Sequence, residues 1–172
     1  MEIEWFKLQD LATQKFKGIP QAPGIYFVRC SKDGTPVSVP RLAGSDNRGI
    51  LYVGSTVNLR RRISELWKGI SGIIEAHTIG KSIVFCRVSE IISMDDYEIS
   101  WEELETGEIA KGQEWVALKL YANQHKEPPP FNLMIYRKMF AVWGMFKWGE
   151  SRWAYEPDEF VKSVIGPIEK RQ

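Results

Sequence analysis

Cysteine is scarce in this chain: Cys30 and Cys86 are the only two. They lie far apart and neither has a C-x-x-C partner, which argues against both a disulfide framework and a zinc site. The expectation is two reduced cysteines packed as small apolar groups in strands. Long apolar runs are missing as well. Charged residues interrupt every hydrophobic stretch well before the roughly 18 residues a membrane span requires, so no membrane association is expected. The first ten residues carry Glu2, Glu4, Lys7 and Asp10 and lack the basic start and apolar middle of a signal peptide. A cytoplasmic location is the default. Net charge is small too, +1 over 172 residues, so bulk charge does not announce nucleic acid. Repeats and low-complexity tracts are absent. What remains is an ordinary globular composition and one domain over 1–172 with its own core.

The distribution of charge says more than its sum. From Arg29 to Lys68 there are eight basic residues against three acidic ones; from Glu90 to Glu108 there are eight acidic residues and no Lys or Arg. One region attracts phosphate while another repels it, unless the charges merely cluster on solvated faces.

Hydrophobic spacing over 4–17 reads as a helix, with apolar positions at Trp5, Leu8, Leu11, Ala12 and Phe16. Gly18, Pro20 and Pro23 then break the chain. Residues 25–30 (IYFVRC) and 50–53 (ILYV) read as strands, joined by a long connection over 31–49 that is rich in Gly and Pro. Asn58 is placed to cap a helix from Leu59 to about Lys68. A short helix over 70–77, a third strand over 83–89 (IVFCRVS) and a helical or irregular acidic stretch over 94–108 follow. A helix over 109–121 ends before Pro128, Pro129 and Pro130. The tail from Arg137 holds Trp143, Trp148 and Trp153 and closes with a helix over 157–164. The order predicts an α+β domain: a small three-stranded antiparallel sheet flanked by helices.

Four features carry chemistry. Gly24-Ile25-Tyr26 opens one strand and Tyr52-Val53-Gly54 closes the next. Alternation can turn both tyrosines to one face, although cross-strand packing alone accounts for such a pair. On the helix from Leu59, the residues Leu59, Ile63, Leu66 and Ile70 form an apolar stripe. Arg61 points away from it, and Arg62 sits at its edge, where a specific partner is expected. On the later helix, Glu114 shares a stripe with Ala110, Ala117, Leu118 and Tyr121. A carboxylate there is costly unless paired or bound to a cation. Both an ion pair with Arg62 and a Mg²⁺ ligand meet that requirement.

Taken together, these residues resemble the GIY-YIG nuclease family, which includes homing endonucleases, some restriction enzymes and the first-incision nuclease of bacterial excision repair. Gly24-Ile25-Tyr26, Tyr52-Val53-Gly54 and an arginine ten residues after the second tyrosine, Arg62, follow its order. So do Glu114 with Lys119 five places on, and Asn132 in Pro130-Phe131-Asn132-Leu133. The resemblance spans about 24–133, leaving the N-terminal helix and the Trp-rich extension of 137–172 outside it. Two features depart from the family. Its hairpin is usually tight, whereas 19 residues, 31–49, separate the strands here. Many members also place His or Tyr four residues after the arginine, where this chain has Leu66. His77 is the one nearby replacement; its other reading is a surface or capping histidine.

The resemblance implies a metal-dependent endonuclease that hydrolyses phosphodiester bonds in DNA, with RNA not excluded. Glu114 would hold Mg²⁺ or Mn²⁺, and Arg62 would neutralise the non-bridging oxygens. Tyr26 would act as general base with Tyr52 assisting it. Arg61, Arg41 and Arg48 would grip phosphates, and Asn132 would orient the site. The tryptophans of the tail read as completing a core or a homodimer interface, or as stacking on unpaired bases. The alternative function is a nucleic-acid-binding or protein-interaction domain that retains the fold without turnover.

Overall fold

A computed structural model describes residues 3–73, 76–132 and 156–166. Its elements are β1 (Phe6–Lys7), α1 (Leu8–Thr13), β2 (Gly24–Lys32), β3 (Thr35–Pro36), β4 (Val39–Arg41), β5 (Gly44–Asp46), β6 (Ile50–Thr56), α2 (Leu59–Ile70), α3 (Thr78–Phe85), β7 (Tyr97–Glu103), α4 (Gly107–His125) and α5 (Glu159–Ile165). Two 3₁₀ turns, Val88–Glu90 and Met94–Asp96, link α3 to β7.

The fold is α+β with an antiparallel sheet. Strand β2 is central, paired antiparallel with β6 on one side and with β7 on the other. Helices cover both faces of β2, so its run GIYFV is buried throughout and shows no polar alternation. Tyr26, Val28, Cys30 and Tyr52 face a core built with α1, α2 and α3. Ile25, Phe27 and Val53 face a second core built with α4 and α5. The sheet is thus the middle of three layers. No helix among the described residues is long and apolar enough to cross a membrane.

The third main strand is β7, not 83–89. The segment Tyr97–Glu103 alternates, with Tyr97, Ile99 and Trp101 in the α1 core. Glu98, Ser100 and Glu102 take the alternate positions, so the period of two is present in the sequence under its acidic composition. Glu98 is buried because Arg29 (2.7 Å) and Lys7 (3.3 Å) pair with it. The run IVFCRVS instead supplies the end of α3 and a 3₁₀ turn, since Ile79 and Ile83 meet the core at helical spacing. Cys86 consequently ends a helix exposed, whereas Cys30 is buried in β2 as expected.

The N-terminal helix is shorter than 4–17. Phe6 and Lys7 pair with Ile99 and Glu98 of β7, and Lys15 and Phe16 take positive φ just beyond Thr13, which stops the helix. Of the helix expected over 70–77, Ile70 ends α2, residues 71 and 72 form a turn, and residues 74 and 75 lie outside the described residues; α3 starts at Thr78. Helices α2, α4 and α5 lie close to their expected positions, with Asn58 accepting from the Arg61 N–H as the α2 cap. The tryptophans 143, 148 and 153 lie outside the described residues.

The connection 31–49 folds back as β3 and the β4–β5 hairpin and is tied to the helices. Buried Asp46 accepts from the Arg48 and Ile50 backbone N–H groups and from the Tyr121 hydroxyl, each at 2.9 Å. Ala43 N–H donates to the His125 carbonyl at 3.3 Å, which brings the hairpin to the end of α4.

Candidate active site

Two tyrosines meet at one end of the β2–β6 hairpin. Register places Tyr26 opposite Gly54 and Val28 opposite Tyr52, so both rings rise from the same face, with centroids 6.0 Å apart. Gly54 makes room for them: a Cβ there would stand 2.6 Å from the Tyr26 ring and 2.8 Å from that of Tyr52. The glycine of the Tyr-Val-Gly motif is therefore required by packing. Tyr26 is fully buried and Tyr52 is 8 % exposed.

Helix α2 brings Arg62 beside this pair. The Arg62 side chain is 29 % exposed and bonds Glu65 one turn on at 3.2 Å. Of the two readings of Glu114, the ion pair with Arg62 is not formed among the described residues, where Arg62 pairs with Glu65. Glu114, on α4, comes from the other layer. Its neighbours Ala110, Ala117, Leu118 and Tyr121 are buried, so the helix is clamped while Glu114 stands half-buried beside β6. There the Ser55 hydroxyl donates to its carboxylate. Ser55 sits one place after the Tyr-Val-Gly motif on the opposite face of the strand from Tyr52, and nothing in its spacing marked it.

Electrostatics join the two sides. Burial raises the pKa of Tyr26 well above the ordinary phenol value, with a further rise from Tyr52; Arg62 opposes it by charge and by hydrogen bonding. Burial also raises Tyr52, followed by the charge of Glu114, while Arg62, Thr78 and Tyr26 favour its phenolate. Each tyrosine therefore responds to both the arginine and the glutamate.

Asn132 closes the outer edge of β6. Its carboxamide accepts from the Val53 N–H at 2.9 Å and donates to the Val53 carbonyl at 2.8 Å. Phe131 N–H donates to the Leu51 carbonyl at 2.9 Å. The Asn132 side chain thus acts as a missing strand would, holding the strand that carries Tyr52. Buried and doubly bonded, its carboxamide is spent on the β6 backbone.

The expected phosphate-binding arginines divide. Arg61 is 65 % exposed and, among the described residues, is held by a 3.7 Å pair with Glu65. Arg41 is 8 % exposed, paired with Glu127 at 2.8 Å and donating to the Pro128 carbonyl. Arg48 donates to the Ser163 and Val164 carbonyls at 2.6 Å, satisfying the last turn of α5. In this structure Arg41 and Arg48 brace the fold. Tyr121, which marks the Asp46–Arg48 region, stands seven residues beyond Glu114 on α4, about 10 Å of helix. Arg60 likewise serves the fold, donating to the carbonyls of Ile19 (2.7 Å) and Lys17 (3.0 Å).

His77 enters the site. Its Nε2 lies 3.2 Å from the Tyr26 hydroxyl and its ring meets Tyr52 edge-on at 5.5 Å. Leu66 is wholly buried among apolar neighbours, so a ring is supplied from α3 and not from α2. No family model, curated protein or solved structure matches this chain. A functional reading therefore rests on these residues.

Proposed function

We propose that this protein is a metal-dependent endonuclease with a GIY-YIG-type centre that hydrolyses phosphodiester bonds in DNA. The reading is carried by one observation: the paired tyrosines of β2 and β6 share their electrostatic environment with an arginine from α2 and a glutamate from α4. A cation and a carboxylate that both act on neighbouring buried phenols are an arrangement that functional sites favour. Hydrolysis needs a proton acceptor, a positive group beside the phosphate and a carboxylate for a hard cation.

A Mg²⁺-type ion uses one or two protein carboxylates and keeps several waters, so Glu114, steadied by Ser55, suits it as a donor. Bound there, it would polarise the phosphate and stabilise the leaving oxygen. The remaining roles belong to the chain. Arg62 neutralises the non-bridging oxygens with a planar guanidinium. Water attacks phosphorus, a new P–O bond forms, the bond to the leaving oxygen breaks, and the water proton passes to a tyrosine phenolate. The group that takes that proton has to reach the water. Tyr26 is wholly buried, whereas Tyr52, though buried, keeps 8 % of its surface accessible; the difference favours Tyr52 as the acceptor and Tyr26 as its support, the reverse of the expected order. Neutralisation of Glu114 removes one of the two influences that oppose the Tyr52 phenolate. Arg61 offers an exposed phosphate contact.

The second reading, a nucleic-acid-binding or protein-interaction domain without turnover, is favoured by a different observation. Tyr26 is closed to solvent, so its hydroxyl cannot take a proton from an attacking water, and Leu66 has no polar atom to do so in its place. Supercoiled plasmid, branched DNA and single-stranded DNA, each incubated with Mg²⁺, Mn²⁺ or EDTA beside Glu114→Ala, separate the two. The nuclease reading predicts metal-dependent products lost in the variant. DNA binding without product under any condition would favour the second reading.

A further inference from the structure

The orientation of His77 is set by the backbone of its own helix. It is the N-cap of α3, with extended φ −153° and ψ 145°, and its Nδ1 accepts from the Ile79 N–H at 3.1 Å. A neutral imidazole carries one N–H, so an accepting Nδ1 puts the proton on Nε2. Nε2 faces the Tyr26 hydroxyl at 3.2 Å. The imidazole is buried and has Arg62 as a charged neighbour; both hold its pKa down at about 3, so the ring is neutral at ordinary pH. The bond is therefore donated by His77 and accepted by Tyr26.

Packing sets this placement over a separation of 51 residues. Helices α2 and α3 touch through two glycines: a Cβ on Gly80 would lie 2.8 Å from the Gly69 carbonyl, and one on Gly69 would lie 3.0 Å from the His77 Cβ. That close approach brings the α3 cap over the tyrosines. The groups facing the cluster from the packed elements are Tyr26 of β2, Tyr52 of β6, Arg62 of α2, Thr78 of α3 and Glu114 of α4.

We propose that His77 is a positioning residue of this site, a hydrogen-bond donor locked onto Tyr26 that turns the Tyr26 hydroxyl proton toward Tyr52. Its role in cleavage rests on the nuclease reading above. The imidazole does not act as a base here, because its one accepting nitrogen is taken by the backbone. Donation runs from the Ile79 amide to His77 and from His77 to Tyr26; the Tyr26 ring lies beside Tyr52, centroids 6.0 Å apart, and a Tyr26 proton turned that way favours the Tyr52 phenolate.

Two substitutions divide capping from donation. His77→Asn keeps a side-chain acceptor near the cap, a role asparagine fills well, but loses the distant donor. His77→Gln keeps an N–H near the Nε2 position and loses the cap. The readout is tyrosinate ultraviolet titration of the full chain, with Tyr52→Phe identifying the Tyr52 component, beside the pH profile of cleavage. The proposal expects His77→Asn to raise the Tyr52 titration by roughly one pH unit, the scale of one hydrogen bond to a charged oxygen. It also expects the alkaline-rising limb of cleavage to move by the same amount. His77→Gln should titrate like the wild type while melting at a lower temperature. A His77→Asn titration matching wild type, or a shift in His77→Gln alone, would overturn the donor role. Because the titration needs no turnover, absence of cleavage in the wild type would defeat the nuclease reading while the donor role was still decided by the phenols.

Discussion

The two ends of the β2–β6 hairpin carry similar residue types put to different uses. At one end Tyr26, Tyr52, Arg62 and Glu114 gather around Gly54, and Arg61 stays open to solvent. At the other, Asp46, Arg41 and Arg48 are consumed by the fold: three donors on one carboxylate, two α5 carbonyls on one guanidinium, and a Glu127 partner on the second. An arginine in a basic segment is available to phosphate only when the protein has not already supplied its acceptors. Local charge does not reveal which case applies.

The largest expected effect falls on the tyrosine end. Arg62→Ala should reduce the cleavage rate by about 100-fold or more while leaving melting nearly unchanged, as expected for lost transition-state charge stabilisation. A variant cutting at wild-type rate would break the comparison. Asp46→Ala is its counterpart. It leaves the Ile50 N–H and Tyr121 hydroxyl without their acceptor, and should cost about 2–4 kcal/mol in denaturant unfolding, with cleavage per folded molecule unchanged.

Smaller effects separate the arginines. Arg61→Ala should leave stability intact and lower the salt dependence of DNA binding by about one phosphate contact. Arg48→Ala should do the reverse, costing about 1 kcal/mol with no change in the salt slope. Equal slopes in both variants would mean that exposure does not identify the phosphate-facing residue.

Helix α5 links the two ends, with Arg48 at its last turn and Asp158 as its N-cap, accepting from the Val161 N–H at 2.8 Å. Burial and then the Asp158 charge raise the Glu102 pKa to about 7 from the ordinary 4.5. Its folded-state pKa is raised, so its stabilisation is complete below pH 4.5 and is lost as pH rises through about 7. His77 acts with the opposite sign: held at about 3, it contributes above pH 6.5 and loses that contribution as pH falls toward 3. Melting temperature against pH for wild type and Glu102→Gln isolates the first effect, and the variant should lack the decline up to pH 7. An unchanged decline would place its origin elsewhere.

Much of the tyrosine end was legible in the sequence because its signals are local. Helix α2 announces itself through Asn58 and the Leu59, Ile63 and Leu66 stripe, and both tyrosines sit at strand positions set by a period of two. Strand β7 does show a period of two, Tyr97, Ile99 and Trp101 against Glu98, Ser100 and Glu102, but its acidic composition reads as surface, and only the distant Arg29 and Lys7 make Glu98 tolerable in the interior. Helix α3 was concealed by β-branched residues that fit either period. His77 and Ser55 join the site through contacts spanning 51 and 59 residues, which no local spacing encodes. The same holds for Arg41 and Arg48, whose acceptors lie 86 to 116 residues away.

The most direct measurement compares cleavage rate and melting temperature for wild type, Glu114→Gln and Asp46→Ala, on the DNA the wild type cuts, in Mg²⁺ and below every transition. The account predicts that Glu114→Gln loses about 100-fold or more in rate at wild-type melting temperature, while Asp46→Ala melts early and cuts at the wild-type rate. Full activity in Glu114→Gln, or no cleavage by the wild type on any DNA, would contradict it.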